Sequence, residues 1–194
     1  MAVRETLQIG NPLLKAHNEK VTSLKSHKIK QVIKDLVDTM MANGLIGIAA
    51  PQIGENYRLF ITEPRETEIR PKEQTDTLRV YINPKIVFSS KEQIEIWEGC
   101  GCVANATILA PVVRPKVITV EAADMDGHLF RLKADGILGR VIQHEYDHME
   151  GIEFVERITD LDRIMSLESY IKRIKPLPEV KASSLITIKE VEQL

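Results

Sequence analysis

The sequence predicts an α+β fold: largely antiparallel sheets packed around a central helix that carries His144 and His148, with an amphipathic helix near the N-terminus and another helix near the C-terminus. Three observations lead there. An early segment repeats apolar residues at helical spacing. Several β-rich runs are bounded by turn residues and do not alternate strictly with helices, which favours antiparallel pairing over strand–helix–strand units. A later helical segment places two histidines four residues apart.

The clearest helix is "SHKIKQVIKDLVDTMMANG". Ile29, Val32, Ile33, Leu36, Val37, Met40 and Met41 form one apolar face, Ser26 is a suitable N-cap, and Gly44 a suitable stop. "LIGIAAPQIG" and the short β-rich "YRLFIT" follow. Residues 63–77 are polar, contain two prolines and read as an exposed loop. "LRVYINPKIVFS" and "VVRPKVITVEAAD" read as strands, and Asp126-Gly127 signals a hairpin into "HLFRL". A second helix covers "ADGILGRVIQHEYDHMEG", with Ile137, Val141, Ile142 and Met149 as its apolar positions. A third is expected over "DLDRIMSLESYIKRI", capped by Asp160 and ended by the prolines of "KPLPEV". "SSLITIKEVEQL" reads as a final strand or a loose tail.

With 194 residues, 43% of them hydrophobic, the chain can bury one substantial core, and a single domain over 1–175 followed by a tail over 176–194 is expected. A formal net charge of −2 gives no general affinity for nucleic acid or anionic membrane. The opening residues mix charges with apolar side chains, unlike a secretory leader, and no apolar run reaches the length of a membrane span. The two cysteines stand one residue apart in "WEGCGC". A disulfide between them would close too small a ring to constrain the chain. A reducing compartment, the cytoplasm, is therefore expected. Core thiols, a redox pair or a metal ligand remain as readings of the pair.

His144 and His148 leave one helical face a turn apart, so both imidazoles can reach one metal ion, and Glu145 can lean over an open coordination position. Catalytic sites of this kind usually take three protein ligands. No histidine follows His148, so a third ligand is either Glu168, by spacing, or a thiolate from "WEGCGC".

"IGIAAPQIG", "EGC" and "QHEYDHMEG", in this order, resemble the three motifs of peptide deformylases. The likeness continues in "LQIGNPLL", "YINPKI" and "VEAADMDG" and covers about residues 4–158. It implies a hydrolase with one divalent metal ion, usually ferrous iron, with zinc or nickel in purified protein. Such an enzyme removes the formyl group from the initiator methionine of nascent proteins and releases formate. Cys100, His144 and His148 match the family's metal ligands and Glu145 its general base. Gln52 matches the side-chain donor to the oxyanion, and Gly101 the backbone donor. Ile46 and Gly47 would offer backbone groups to an extended substrate. Ile137 and Val141 would line a methionine pocket or simply pack in the core. The implied partner is an N-formylmethionyl peptide or nascent chain, with the ribosome left open as a second and neither nucleic acid nor membrane expected.

The chain departs from the family's pattern in two motifs. Leu45 stands where motif one usually has glycine, Gly101 and Cys102 stand where motif two usually has a large aliphatic residue and serine, and "ANAT" follows in a lengthened loop. These changes touch the substrate-facing wall, so a weakly active relative or one acting on another N-acyl group is the alternative. A conventional HExxH endopeptidase using Glu168 ranks third. The resemblance also leads to an expected Glu98–Arg114 contact behind the ligands. Cys102 is expected to point away from the metal and to serve as a small residue or an oxidation partner for Cys100.

Overall fold

The computed structural model describes residues 2–67 and 70–194; Met1, and Glu68 and Ile69 of the expected 63–77 loop, lie outside the described residues. Helix α1 spans His27–Ala42, with the Ser26 side chain accepting from the Ile29 N–H. It ends where Gly44 takes a left-handed conformation (φ 64°), with the Gly44 N–H donating to Met41 O (3.3 Å) and the Leu45 N–H to Met40 O (3.0 Å). This paired closure satisfies the last carbonyls and fixes the direction in which the chain leaves. One residue of the expected apolar face differs: Met41 is exposed, because it sits at the flank of an arc already filled by Ile29, Ile33, Leu36 and Met40.

Strands β1 (Gly47–Ala49), β2 (Leu59–Thr62), β3 (Arg79–Ser89), β6 (Ile118–Ala123), β7 (Leu129–Ala134) and β9 (Lys189–Gln193) form one antiparallel sheet in the order β1-β2-β3-β6-β7-β9. Strands β4 (Gln93–Glu98), β5 (Ile108–Pro115) and β8 (Met165–Ser166) form a second in that order. Helix α2 (Gly136–Met149) packs against β1, β2 and β7.

Side-chain alternation explains why the first strands read as continuous apolar runs. Ile48, Leu59, Ile61, Val80 and Ile82 join the cluster built on α1, whereas Ala49, Phe60 and Tyr81 join the cluster that includes Leu138, Val141 and Ile142 of α2. Successive residues point to opposite faces, and both faces are covered. Phe60 and Tyr81 stack with ring centroids 4.5 Å apart.

Three expectations need correction. "VVRPKVITVEAAD" is not one strand: it breaks after Pro115, so that β5 belongs to the second sheet and β6 to the first. Strand β4 was not expected, since charged and amide side chains alternate with Ile94 and Ile96 and mask its pattern. The helix expected over 160–174 is divided. Asp160 caps only a short turn over Leu161–Arg163, β8 pairs with Ile108 and Leu109, and Ser166 then caps the shorter helix α3 (Leu167–Arg173). Pairing with β5 holds residues 165–166 extended, which a helix cannot accommodate.

The hairpin between β6 and β7 turns at Asp126-Gly127, with Gly127 at φ 90° and the Asp124 carboxylate accepting from the Asp126 and His128 N–H groups (2.9 Å each). Beyond α3, helix α4 (Pro178–Ser183) leads to β9, which pairs along β7. Asp135, just before α2, accepts from the backbone N–H of Thr187 (2.7 Å) and Ile188 (2.8 Å). Of the two readings of the last segment, the strand is the one found.

Candidate active site

A cleft runs between the edge strands β1 and β4, with α2 beneath it. Leu45, Ile46, Gly47 and Gln52 line one side, Trp97 to Gly101 the other, and Ile137, Arg140, Val141, His144 and Glu145 the floor. Gly47 is glycine because β1 crosses α2 at contact distance: a Cβ there would lie 2.5 Å from Val141 Cγ2 and 2.7 Å from Glu145 Oε1. Tyr170 of α3 backs Trp97, ring centroids 5.4 Å apart.

Cys100, His144 and His148 are all buried, and one ligand atom from each lies within 4.8 Å of the others. Cys100 Sγ is 3.2 Å from His148 Nε2. Glu168 lies outside this group, exposed in the first turn of α3. Burial pushes the His148 imidazole well below its ordinary pKa, with the charges of His144 and Arg114 adding to it, which favours the neutral ring that metal ligation needs. Hydrogen bonding to the Cys102 side chain, then burial, pushes the Cys100 thiol up; a cation at the sulfur would act the other way. The Cys102 N–H also points at Cys100 Sγ, 3.4 Å away.

Behind the imidazoles stands a network of buried charge. Glu98 Oε2 meets His144 Nδ1 at 2.8 Å, an arrangement that fixes the ring and turns Nε2 toward the ligand group. The expected Glu98–Arg114 contact is present and bidentate, Nε–Oε1 2.7 Å and Nη2–Oε2 3.0 Å. Arg140 adds a further bond to Glu98 Oε1 (2.8 Å), and Arg114 Nη1 reaches Asp147 Oδ2 (2.5 Å). Burial opposes charge on Glu98, but the Arg114 guanidinium and the His144 contact hold its carboxyl well below the usual range. Sequence reasoning missed Arg140 and Asp147. Their only signal was a position on the same helix face as His144, at i−4 and i+3 from it.

Gln52 sits in the short turn after β1, where its Oε1 accepts from the Ala49 N–H (2.6 Å). That bond leaves Nε2 as a donor aimed at the sulfurs of Cys102 (3.4 Å) and Cys100 (3.7 Å). Cys102 therefore lies outside the ligand group yet does not turn away from it, contrary to expectation, because the turn at 100–103 carries its sulfur back toward Gln52. Glu145 is buried, and its Oε2 has no partner among the described residues. Burial pushes its carboxyl well above the usual range, reinforced by negative charge at Cys102 and Glu98. A buried carboxylate oxygen without a partner, beside three clustered ligand atoms, is what a proton-transfer group at a metal site requires.

Gly101 is held from outside by the N-terminal segment: Gln8 Nε2 donates to its carbonyl (2.8 Å) and the Ile9 N–H to that of Cys102 (2.7 Å). Among the described residues no acceptor meets the Gly101 N–H. Ala104, Asn105 and Ala106 then all take left-handed backbone (φ 48°, 51° and 60°), which curls the loop so that the Ala106 N–H reaches Cys100 O (3.0 Å).

Comparison with known proteins agrees with this geometry. Residues 3–164 match the family model described as polypeptide deformylase. Peptide deformylase 2 of Nostoc sp. is 35% identical over 164 residues, 84% of this chain and 90% of that protein. The structure of the Ehrlichia chaffeensis peptide deformylase in complex with actinonin superposes with a TM-score of 0.75 at 31% identity, covering 91% of this chain and 98% of that one. The Acinetobacter baumannii class I type b enzyme with Met-Ala-Ser bound gives 0.74 at 29% identity, covering 81% and 99%. A family match across most of the chain, relatives matched over nearly their whole length, and the three ligand atoms gathered beneath the cleft make this chain a member of the polypeptide deformylase family.

Proposed function

We propose that this chain is a metal-dependent peptide deformylase that hydrolyses the N-formyl group of the initiator methionine of nascent proteins and releases formate. The observation that carries the reading is the convergence of Cys100, His144 and His148 beside the unpartnered carboxylate oxygen of Glu145. One sulfur and two imidazole nitrogens suit a single divalent first-row ion; ferrous iron is the proposed occupant, and zinc or nickel would fit the same donors. When bound, that ion supplies Lewis acidity toward a water and toward the formyl oxygen.

The chain's own residues supply the rest. Glu145 takes a proton from the attacking water as its oxygen bonds to the formyl carbon. The same carboxyl returns the proton to the departing amine as the C–N bond breaks, leaving formate and a free N-terminus. Gln52 Nε2 and the Gly101 N–H are donors set in place before charge develops on the formyl oxygen. The free edge of β1 at Gly47, with Ile46 just before it, would pair with an extended peptide as an added strand, while Ile137 and Val141, which line the cleft, would face the methionine side chain. Residues 1–175 form the catalytic domain in this reading, 176–194 a C-terminal extension, and nascent chains emerging from the ribosome in the cytoplasm are the substrates.

The test is formate release from formyl-Met-Ala-Ser by protein loaded anaerobically with iron. Turnover is expected, and Glu145→Gln should keep its metal while losing at least about 10²-fold in rate, as for lost general-base catalysis. The altered segment 101–106 favours a second reading, action on another N-acyl group; faster hydrolysis of an acetyl-Met peptide than of the formyl peptide would select it.

A further inference from the structure

Gly101 needs no glycine for its backbone, since its φ lies outside the left-handed region, unlike that of Gly44 or Gly127. What crowds a side chain there is the Leu45 side chain. A Cβ at 101 would lie 3.2 Å from Leu45 Cδ1 and 3.7 Å from Leu45 Cδ2, with Thr6 Cγ2 next at 3.9 Å. The Leu45 methyls thus stand against the first atom of any residue-101 side chain, and both residues line the same cleft.

Leu45 is the better anchored of the two. Its N–H closes the end of α1 on Met40 O, its carbonyl accepts from Arg65 Nη2 (2.7 Å), and its side chain packs against the α1 cluster. The loop it touches carries three left-handed residues in a row; Gln8 and Ile9 hold it from the N-terminal side, and Cys100, Cys102 and Val103 pack with Leu14 and Phe154. A glycine in such a loop has wide conformational freedom. The packing of Leu45 on the bare backbone closes the cleft side.

We propose that Leu45 is a positioning residue for the Gly101 amide: packed in the space over residue 101, it holds the oxyanion-facing backbone in place and sets the width of the cleft beside it. The proposal rests on the deformylase reading of this site. A void at 45 would let the loop relax inward, and a large residue at 101 opposite an intact Leu45 would push it outward. Either shift moves the amide, and a displacement near 1 Å costs up to about 10²-fold in rate. Moving the bulk from 45 to 101 conserves volume and should restore the fit.

The experiment compares Leu45→Ala, Gly101→Leu and the double variant in kcat and KM on formyl-Met-Ala-Ser, thermal unfolding, metal content and affinity for the tripeptide Met-Ala-Ser. Each single variant should keep its metal and lose about 10- to 100-fold in kcat, with KM changed far less. The double variant should return to within about 3-fold of the parent, and the two substitutions should be non-additive in thermal stability. Additive losses in the double variant, or single variants with parental kcat, would overturn the proposal. If the parent itself releases no formate, the deformylase reading fails on its own. The positioning role is then decided by Met-Ala-Ser affinity: loss in both single variants and recovery in the double supports it, and independent effects overturn it.

Discussion

On the α2 side of the cleft, side-chain directions are set by buried charge: Glu98 is gripped by Arg114 and Arg140, Arg114 spans to Asp147, and His144 leans on Glu98. On the opposite side, the loop from Gly99 to Ala106 is placed by apolar packing, with Leu45 over Gly101 and with Cys100, Cys102 and Val103 against Leu14 and Phe154, by Gln8 and Ile9, and by backbone in a disfavoured conformation. The first arrangement has few alternatives, because moving one member leaves a buried charge unpaired. The second has many, because packing contacts are non-directional and each is weak. The same site thus combines a rigid frame for the Cys100, His144 and His148 group with a wall whose shape can change without disturbing it.

Substitutions can sharpen that contrast. The largest effect is expected at the ligand set: Cys100→Ala should lose most of its metal and with it the activity, whereas Cys102→Ser should keep the metal. Metal content by elemental analysis decides it; an emptied site in Cys102→Ser would mean that Cys102 supplies the ligand sulfur.

Next comes the frame. Arg114→Met leaves Glu98 with Arg140 and Asp147 with Arg157, so the loss should fall near the lower end for a broken buried pair, about 3 kcal/mol, with reduced metal affinity through a looser His144. Denaturant unfolding of the metal-free proteins checks the first part. A change below about 0.5 kcal/mol would show that this network directs side chains without stabilising the fold.

The smallest effect belongs to the loop. Ala104 is exposed at φ 48°, so Ala104→Gly removes strain and little packing, and should stabilise the protein by about 1 kcal/mol. Destabilisation by the same amount would mean that loop rigidity, not strain, dominates there.

Local patterns were legible without the fold. The spacing of His144 and His148 marks one helical face whatever surrounds it, and the caps at Ser26 and Gly44 were placed from residue type alone, because both act within a single turn. The hairpin at Asp126-Gly127 was equally local. The α3 segment was misread for the converse reason: its helical spacing yields to a pairing with β5 that lies far away in sequence. Strand β4, too, depends on β5 for its hydrogen bonds, and its own six residues carry little apolar pattern.

What the sequence determined by itself is therefore the chemistry: two imidazoles and a carboxylate on one helix turn, a sulfur in a glycine-rich segment, and an amide after β1. Tertiary structure decided which groups meet. Helical spacing alone left Glu168 open beside the Cys100 that the motif resemblance favours, and the fold groups Cys100 with the two histidines while leaving Glu168 exposed. Arg140 and Asp147 became members of the site because α2 is packed so that its charged residues face β4 and β5. Leu45 and Gly101 look like unrelated departures when read along the chain. The end of α1 directs one side chain into the space the other lacks, and contact between distant residues is a property that composition and periodicity do not encode.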